Sequence, residues 1–82
     1  MGFVTKFSSG AEKYLKRLSL DISSRILSKL AEVEKEPFRY LRHYEGKYFK
    51  LRIGDYRALI DVDFNEGFLV VEVLDKRGRV YK

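Results

Sequence analysis

Residues 46–57 read Gly-Lys-Tyr-Phe-Lys-Leu-Arg-Ile-Gly-Asp-Tyr-Arg, and this stretch decides the fold. Its side chains alternate between apolar and polar positions, which is typical of a strand buried on one face. The apolar positions are Phe49, Leu51 and Ile53, and the polar positions are Tyr48, Lys50 and Arg52. Gly54-Asp55 then has glycine first, as a type II′ hairpin turn requires. The alternation resumes at Tyr56, so the stretch predicts a β-hairpin with one basic face.

The position of the turn predicts which residues face each other across the hairpin. On the apolar face the expected pairs are Phe49 with Ile60, Leu51 with Ala58 and Ile53 with Tyr56. On the polar face they are Tyr48 with Asp61, Lys50 with Leu59 and Arg52 with Arg57. Two arginines in register destabilise a sheet by about 0.2–1 kcal/mol. This repulsion indicates an anion held between the strands; the alternatives are two solvated arginines, or an Arg57 that pairs with Asp61 or Asp63.

Two helices are predicted before the hairpin. Ser9-Gly-Ala-Glu12 has the pattern of a capping box, and the apolar face that follows it is Ala11, Tyr14, Leu15 and Leu18. Ser19-Leu20-Asp21 offers the next cap, and the second apolar stripe is Ile22, Ile26, Leu30 and Val33, widened by Leu27. The second helix must stop near Glu36, because Pro37 disfavours helix in the residue before it. So short a connector predicts an antiparallel helical hairpin.

The remaining segments predict strands. The first is Phe3–Phe7, at the start of the chain, and a weak signal covers residues 39–45. The hairpin strands span residues 47–53 and 56–64, and an apolar segment follows at Phe68–Leu74 after the turn Asn65-Glu-Gly67. The order is β-α-α-β-β-β-β. It predicts one α+β domain over residues 1–82, with the helical hairpin packed on a mostly antiparallel sheet.

The composition restricts the kind of site that this chain can form. Its 82 residues include no cysteine and a single histidine, His43, so disulfides, thiolate zinc and histidine-rich metal sites are excluded. No apolar run approaches the roughly 18 residues of a membrane span. We therefore expect a soluble cytoplasmic protein without a metal or cofactor. His43 lacks an acidic partner on its own strand face and is not expected to be catalytic.

The charge pattern predicts a polyanionic partner. The net charge is +5, and residues 39–57 carry six basic and two acidic side chains. Residues 58–75 carry five acids and no Lys or Arg, whereas residues 76–82 carry four basic groups and no acid. Two basic segments thus flank an acidic one, a pattern that favours binding of nucleic acid. The alternative is that a basic isoelectric point is simply common in small proteins.

The same residues resemble a known family. The segment Tyr48-Phe-Lys-Leu-Arg-Ile-Gly-Asp-Tyr-Arg57, the apolar strand after it and the terminal Lys-Arg-x-Arg-Val-Tyr81 look like the RelE/ParE superfamily of toxins from toxin–antitoxin systems. The resemblance implies a single RelE-like toxin domain. RelE-type members cleave mRNA in the ribosomal A site without a metal, by attack of a ribose 2′-hydroxyl on the adjacent phosphate.

The resemblance also implies roles for single residues. Arg57 is expected to contact the scissile phosphate and Lys50 to stabilise its charge. Arg77 matches a second catalytic arginine, and Tyr81 matches a terminal tyrosine that stacks on a base or assists proton transfer. The residues expected to bind RNA phosphates are Lys47, Tyr48, Arg52 and Arg79. The implied partners are the ribosome, mRNA and an acidic, RelB-like antitoxin, in a complex that can be a heterotetramer.

Departures from the family pattern keep two other functions open. Tyr48 occupies a position where well-studied relatives often have lysine, and Lys76 replaces a histidine that many relatives have beside the arginine. One alternative is a ParE-like toxin that inhibits DNA gyrase by binding the protein. The other is a toxin fold that binds nucleic acid without cleaving it. For Arg77, Arg79 and Tyr81 the alternatives are a frayed basic tail and a tyrosine ring packed on the sheet.

Overall fold

A computed structural model describes residues 2–76, and within that range five strands form a single sheet. The elements are β1 Val4–Phe7, α1 Ser9–Arg17, α2 Leu20–Lys35, α3 Pro37–Tyr40, β2 Arg42–Glu45, β3 Tyr48–Ile53, β4 Tyr56–Asp63 and β5 Phe68–Lys76. The strand order is β1-β5-β4-β3-β2; β1 is parallel to β5, and the other neighbours are antiparallel. The predicted α+β class with a mostly antiparallel sheet is confirmed.

The β3–β4 hairpin has the predicted register. Ile53 faces Tyr56, Arg52 faces Arg57 and the pairing continues in step to Tyr48 and Asp61. Gly54 has a φ of 58°, a conformation that residues with a Cβ rarely adopt, so glycine is required at this turn. A slip of one residue would exchange the two faces of the strand, and burial of the apolar face therefore holds this register.

The helices and one face of the sheet enclose a single core. Its buried residues are Ala11, Ile26, Leu30, Val33, Leu41, Leu51, Ile53, Ala58, Ile60, Val62, Leu69, Val71 and Leu74. The predicted stripe of α2 supplies three of them, Ile26, Leu30 and Val33. Leu27, which the pattern assigned to the same stripe, is instead 46 % exposed. The opposite face of the sheet bears half-buried and exposed side chains, and we call it the open face.

The predicted capping box at Ser9 is wrong, because the N-cap of α1 is Ser8. The backbone N–H of Ser8 donates to the carbonyl of Val71 at 2.9 Å, which ties the start of the helix to β5. The Ser8 hydroxyl accepts from the N–H of Ala11 at 3.1 Å and donates to the carbonyl of Glu72 at 2.8 Å. Helix α2 has the cap expected for it, with the Ser19 hydroxyl accepting from the N–H of Ile22 at 3.3 Å.

A bulge in β5 reverses which side chains face the open side. Ile60 pairs with Val71 whereas Leu59 pairs with Val73, so Glu72 is an extra residue in the ladder. Val71 is buried before the bulge and Leu74 is buried after it, although an uninterrupted strand would put these two on opposite faces. The bulge therefore brings Asp75 to the open face, next to Arg57 in register.

The prediction of a strand from residue 39 is wrong at its beginning. Residues 37–40 form the short helix α3, and β2 begins only at Arg42. Proline at the first helical position is favourable because its fixed φ suits a helix and its missing N–H is not needed there. The N–H of Leu41 donates to the carbonyl of Pro37 at 2.8 Å and closes this turn.

Glu34, near the end of α2, bonds to the start of the chain through both its side chain and its backbone. Its carboxylate accepts the backbone N–H of Thr5 at 2.9 Å, and its carbonyl accepts that of Phe3 at 2.9 Å. These bonds hold the edge strand β1 against α2. They cover the side of β1 that faces away from β5, which has no strand partner within residues 2–76.

Candidate functional site

The open face contains a depression of about 260 Å³ in which four basic side chains converge. It is lined by Tyr40, Arg42, Lys50, Leu51, Arg52 and Arg57. We call this the cationic depression. The basic side chains come from three neighbouring strands, and the tyrosine comes from the last position of α3.

Strand register explains why these cations meet. Arg42 pairs with Lys50 between β2 and β3, and Arg52 pairs with Arg57 between β3 and β4. Lys50 and Arg52 are two residues apart on one strand and so share a face. Side chains directly opposite each other in antiparallel strands have Cβ atoms about 4.5–5.5 Å apart. The depression therefore concentrates positive charge, which attracts an anion.

Arg57 lies between a like and an unlike charge. Arg52 faces it from β3, and Asp75 faces it from β5 on the other side. The register thus brings Asp75 beside Arg57, rather than Asp61 or Asp63, which the sequence offered as alternatives. Arg57 is half-buried whereas Arg52 is exposed. Of these two arginines, Arg57 is therefore the more enclosed by its neighbours.

Two tyrosines accompany the cations. The Nζ of Lys50 lies 6.0 Å from the ring centroid of Tyr44. Lys29, on α2, has its Nζ 4.7 Å from the ring centroid of Tyr40, and the guanidinium carbon of Arg39 lies 6.0 Å from the same centroid. Both distances to Tyr40 are within the range of cation–π attraction. The aromatic ring that lines the cationic depression is thus that of Tyr40.

Two of the residues predicted to bind phosphate lie outside the lining of this depression. Lys47 precedes β3, and its Nζ is 3.5 Å from the carboxylate of Asp61 and 5.6 Å from the ring centroid of Tyr48. Lys47 and Tyr48 therefore form a separate group around Asp61. The predicted site residues Arg77, Arg79 and Tyr81 lie outside the described residues.

Arg42 and Tyr40 line the depression but were not among the site residues predicted from the sequence. Arg42 had a signal, because it lies at the start of a weakly patterned strand and two residues before Tyr44, a spacing that puts both on one face of a strand. No sequence pattern pointed to Tyr40, since its position depends on the helical turn α3. His43 pairs with Phe49, on the apolar side of β3. Its Nε2 donates to the carbonyl of Gly46 at 2.8 Å, away from the cations.

Among residues 2–76, no group of three or more His, Asp or Glu side chains could hold a metal ion. No helix in that part of the chain is long and apolar enough to cross a membrane.

Comparisons with known proteins agree with this architecture. A family model described as the ParE toxin of type II toxin–antitoxin system, parDE, matches residues 5–80. A chain of a RelBE toxin–antitoxin complex from Mycobacterium tuberculosis has a TM-score of 0.84 and 22 % identity, over 94 % of this chain and 100 % of that chain. A chain of the archaeal RelE–RelB complex from Pyrococcus horikoshii has a TM-score of 0.77 and 24 % identity, over 96 % of this chain and 99 % of that chain.

The isolated E. coli RelE toxin is also similar, with a TM-score of 0.76 and 21 % identity over 96 % of this chain and 90 % of that one. The comparison with curated proteins gives no match. Identities this low establish a shared fold only, whereas the family model covers nearly the whole sequence. The chain belongs to the ParE toxin family of type II toxin–antitoxin systems, within the RelE/ParE superfamily.

Proposed function

We propose that this toxin acts on RNA, as a ribosome-dependent endonuclease that cleaves mRNA in the ribosomal A site. The observation that carries the proposal is the convergence of Arg42, Lys50, Arg52 and Arg57 on one depression. Like charges in such proximity repel each other, and a phosphate would offset that repulsion. Arginine suits this task because its planar fork matches phosphate oxygens in two places, while lysine adds a mobile point charge.

The reaction requires cations where negative charge develops. The ribose 2′-oxygen attacks the adjacent phosphorus, the bond to the 5′-oxygen breaks, and a 2′,3′-cyclic phosphate and a 5′-hydroxyl result. The 2′-hydroxyl loses its proton and the leaving 5′-oxygen gains one. Arg57 and Lys50 would stabilise the phosphate oxygens during this exchange; removal of one such donor typically lowers the rate by about 10²–10³. Proton transfer is assigned to Tyr81 by resemblance alone.

The same charges support neutralisation by an antitoxin. Structures with this fold include toxin–antitoxin complexes of RelE with RelB. A RelB-like antitoxin with an acidic segment would complement the cationic depression and associate fast. A heterotetramer of two toxins and two antitoxins is a form that such a complex could take. Action on ribosomes would require the toxin to be in the cytoplasm.

Inhibition of DNA gyrase is the second candidate, and the match to the ParE family model favours it. Such a toxin works by binding a protein and needs no cations aligned for phosphoryl transfer. In that case the cationic depression would serve to bind an acidic surface. The two candidates differ in their first molecular product, because one gives cut mRNA and the other gives DNA damage with intact mRNA.

The deciding experiment is primer extension on a defined mRNA in a translating extract, with the wild-type chain, Arg57→Ala and Arg25→Ala. We expect cuts within A-site codons for the wild type, and a cleavage rate at least a hundredfold lower for Arg57→Ala. Arg25→Ala removes the same charge from the exposed Arg25–Asp21 pair of α2, outside the depression, and should cut normally. Circular dichroism of the variants checks that they are folded.

Two results would overturn the RNA proposal. Intact mRNA with all three proteins, in an extract where a known RelE toxin cuts, would exclude cleavage. A gyrase supercoiling assay on the same preparations would then separate the two remaining functions: inhibition favours the ParE-like activity. Salt-sensitive RNA binding without cuts would favour a nucleic-acid-binding protein without catalysis. Equal cleavage by wild type and Arg57→Ala would reject the assignment of Arg57.

A further inference from the structure

Tyr40 brings an aromatic ring to a site that otherwise offers charge. It lines the cationic depression together with Arg42, Lys50, Arg52 and Arg57. Neither its role nor its proximity to the cations follows from the sequence pattern. Tyr44 lies near Lys50, and Tyr48 lies near Lys47, but neither lines the depression.

The ring of Tyr40 is held by its surroundings. Lys29 lies over the ring with its Nζ 4.7 Å from the centroid, and the same Nζ is 3.5 Å from the carboxylate of Glu32. The backbone is fixed on both sides of Tyr40, because Pro37 is buried before it and Leu41 is buried after it. A half-buried ring in a fixed turn loses little conformational entropy when a ligand packs on it.

We infer that Tyr40 is a stacking platform for a nucleobase whose backbone phosphate is bound by the cations of the depression. This inference rests on the proposed action on RNA. A nucleotide offers an anionic phosphate and a flat π surface, and the depression offers a complement to each. Base–aromatic stacking is a common way to bind single-stranded RNA, and it tolerates any base. An inorganic anion or an acidic peptide would use the cations and leave the ring without a role.

The inference assigns two separable contributions to binding. The cations recognise the phosphate with or without a base, while Tyr40 recognises the base alone. An abasic RNA should therefore bind through the cations but gain nothing from the ring. Stacking does not require the phenol hydroxyl, so phenylalanine should replace Tyr40 whereas leucine should not.

The experiment measures binding of a short 2′-O-methyl RNA, which cannot be cleaved. It also measures a series of the same RNA in which the base is removed at one position at a time. The proteins are wild type, Tyr40→Phe, Tyr40→Leu, Arg57→Ala and Phe38→Leu. Phe38 is a matched control, because it is an aromatic residue of the same short helix, is 53 % exposed and does not line the depression. Thermal melting of each variant verifies folding.

We expect Tyr40→Leu to weaken binding of the intact RNA by about tenfold. Binding of the abasic RNA that lacks the stacked base should be the same for Tyr40→Leu and wild type. Tyr40→Phe and Phe38→Leu should bind like wild type, and Arg57→Ala should weaken both RNAs. The chain has no tryptophan, so Tyr40→Trp also introduces a single tryptophan, whose fluorescence intact RNA should quench more than abasic RNA.

The outcomes separate this inference from the proposed function. If Arg57→Ala weakens binding while Tyr40→Leu does not, the stacking role is rejected and the action on RNA stands. If Tyr40→Leu weakens intact and abasic RNAs equally, Tyr40 acts on the shape of the depression and the inference is again rejected. If the wild-type protein binds neither RNA at low salt, the inference is rejected, and primer extension in the translating extract still decides whether the toxin cleaves ribosome-bound mRNA.

Discussion

Arg57 has one neighbour in the sheet that repels it and one that attracts it. Its neighbour on β3 is Arg52 and its neighbour on β5 is Asp75, so the sheet partly compensates the repulsion that the hairpin creates. Arg52 has no carboxylate beside it in the β3–β4 register, and no ion pair of Arg52 occurs among the described residues. Of the two arginines, Arg52 should therefore destabilise the folded protein more.

Arg52→Gln should make the protein more stable and less active. Removal of the in-register repulsion should raise the free energy of unfolding by about 0.2–1 kcal/mol at low salt, and the gain should shrink in high salt because ions screen exposed charges. Urea denaturation at two salt concentrations measures this, and primer extension measures the lower cleavage.

The matched control is Arg25→Gln, which breaks the exposed Arg25–Asp21 pair of α2 at 3.5 Å. It should lower stability by less than about 0.5 kcal/mol and leave cleavage unchanged. A loss of stability in Arg52→Gln at low salt would contradict the repulsion argument.

At the scale of elements, Ser8 joins the start of α1 to the bulge of β5. Its hydroxyl satisfies an N–H of the helix and the carbonyl of Glu72 together. Ser19 has only the first of these functions at the start of α2, in an exposed position. The comparison of the two serines isolates the stability contributed by the link to the bulge.

Ser8→Ala should lower the free energy of unfolding by about 2 kcal/mol, since it removes a helix cap and leaves a part-buried carbonyl without its partner. Ser19→Ala should cost about 0.5–1 kcal/mol, the usual effect of a cap alone. Urea denaturation of both variants gives the difference. Equal losses would mean that the bond to Glu72 contributes nothing.

At the scale of the whole molecule, the fold separates an apolar face that the helices cover from an open face that concentrates positive charge. The helices bury eight sheet residues on one side, and the cationic depression opens on the other. The four cations of the depression are therefore arranged for a ligand on one face of the sheet. Affinity for such a ligand should depend strongly on salt.

Binding of single-stranded RNA should weaken with a slope of log K against log salt between about −0.7, the value for one neutralised phosphate, and about −3, the value if the four cations neutralise four phosphates. Arg57→Ala should reduce the magnitude of the slope by up to about 0.7, whereas Arg25→Ala should leave it unchanged. Filter binding or fluorescence anisotropy over a salt series measures both. A slope near zero would exclude binding through the cationic depression.

The sequence was sufficient for the β3–β4 hairpin and for most of the buried face of α2. The alternation of residues 47–53 and the glycine at position 54 predicted the β3–β4 register residue by residue, because burial of Leu51 and Ile53 permits only one pairing. The stripe of Ile26, Leu30 and Val33 predicted the buried face of α2 for the same reason. Arg52, Arg57 and Lys50 could therefore be grouped on one face from the sequence.

The tertiary structure decided what depends on contacts between distant segments. Asp75 reaches Arg57 only because Glu72 forms a bulge, and the Ser8 hydroxyl that bonds the bulge comes from 64 positions away in the chain. Tyr40 and Arg42 join the cations because a proline-initiated turn replaces the expected beginning of a strand. Local periodicity carries no information about such bonds, since their energy appears only when the distant partners are already folded against each other.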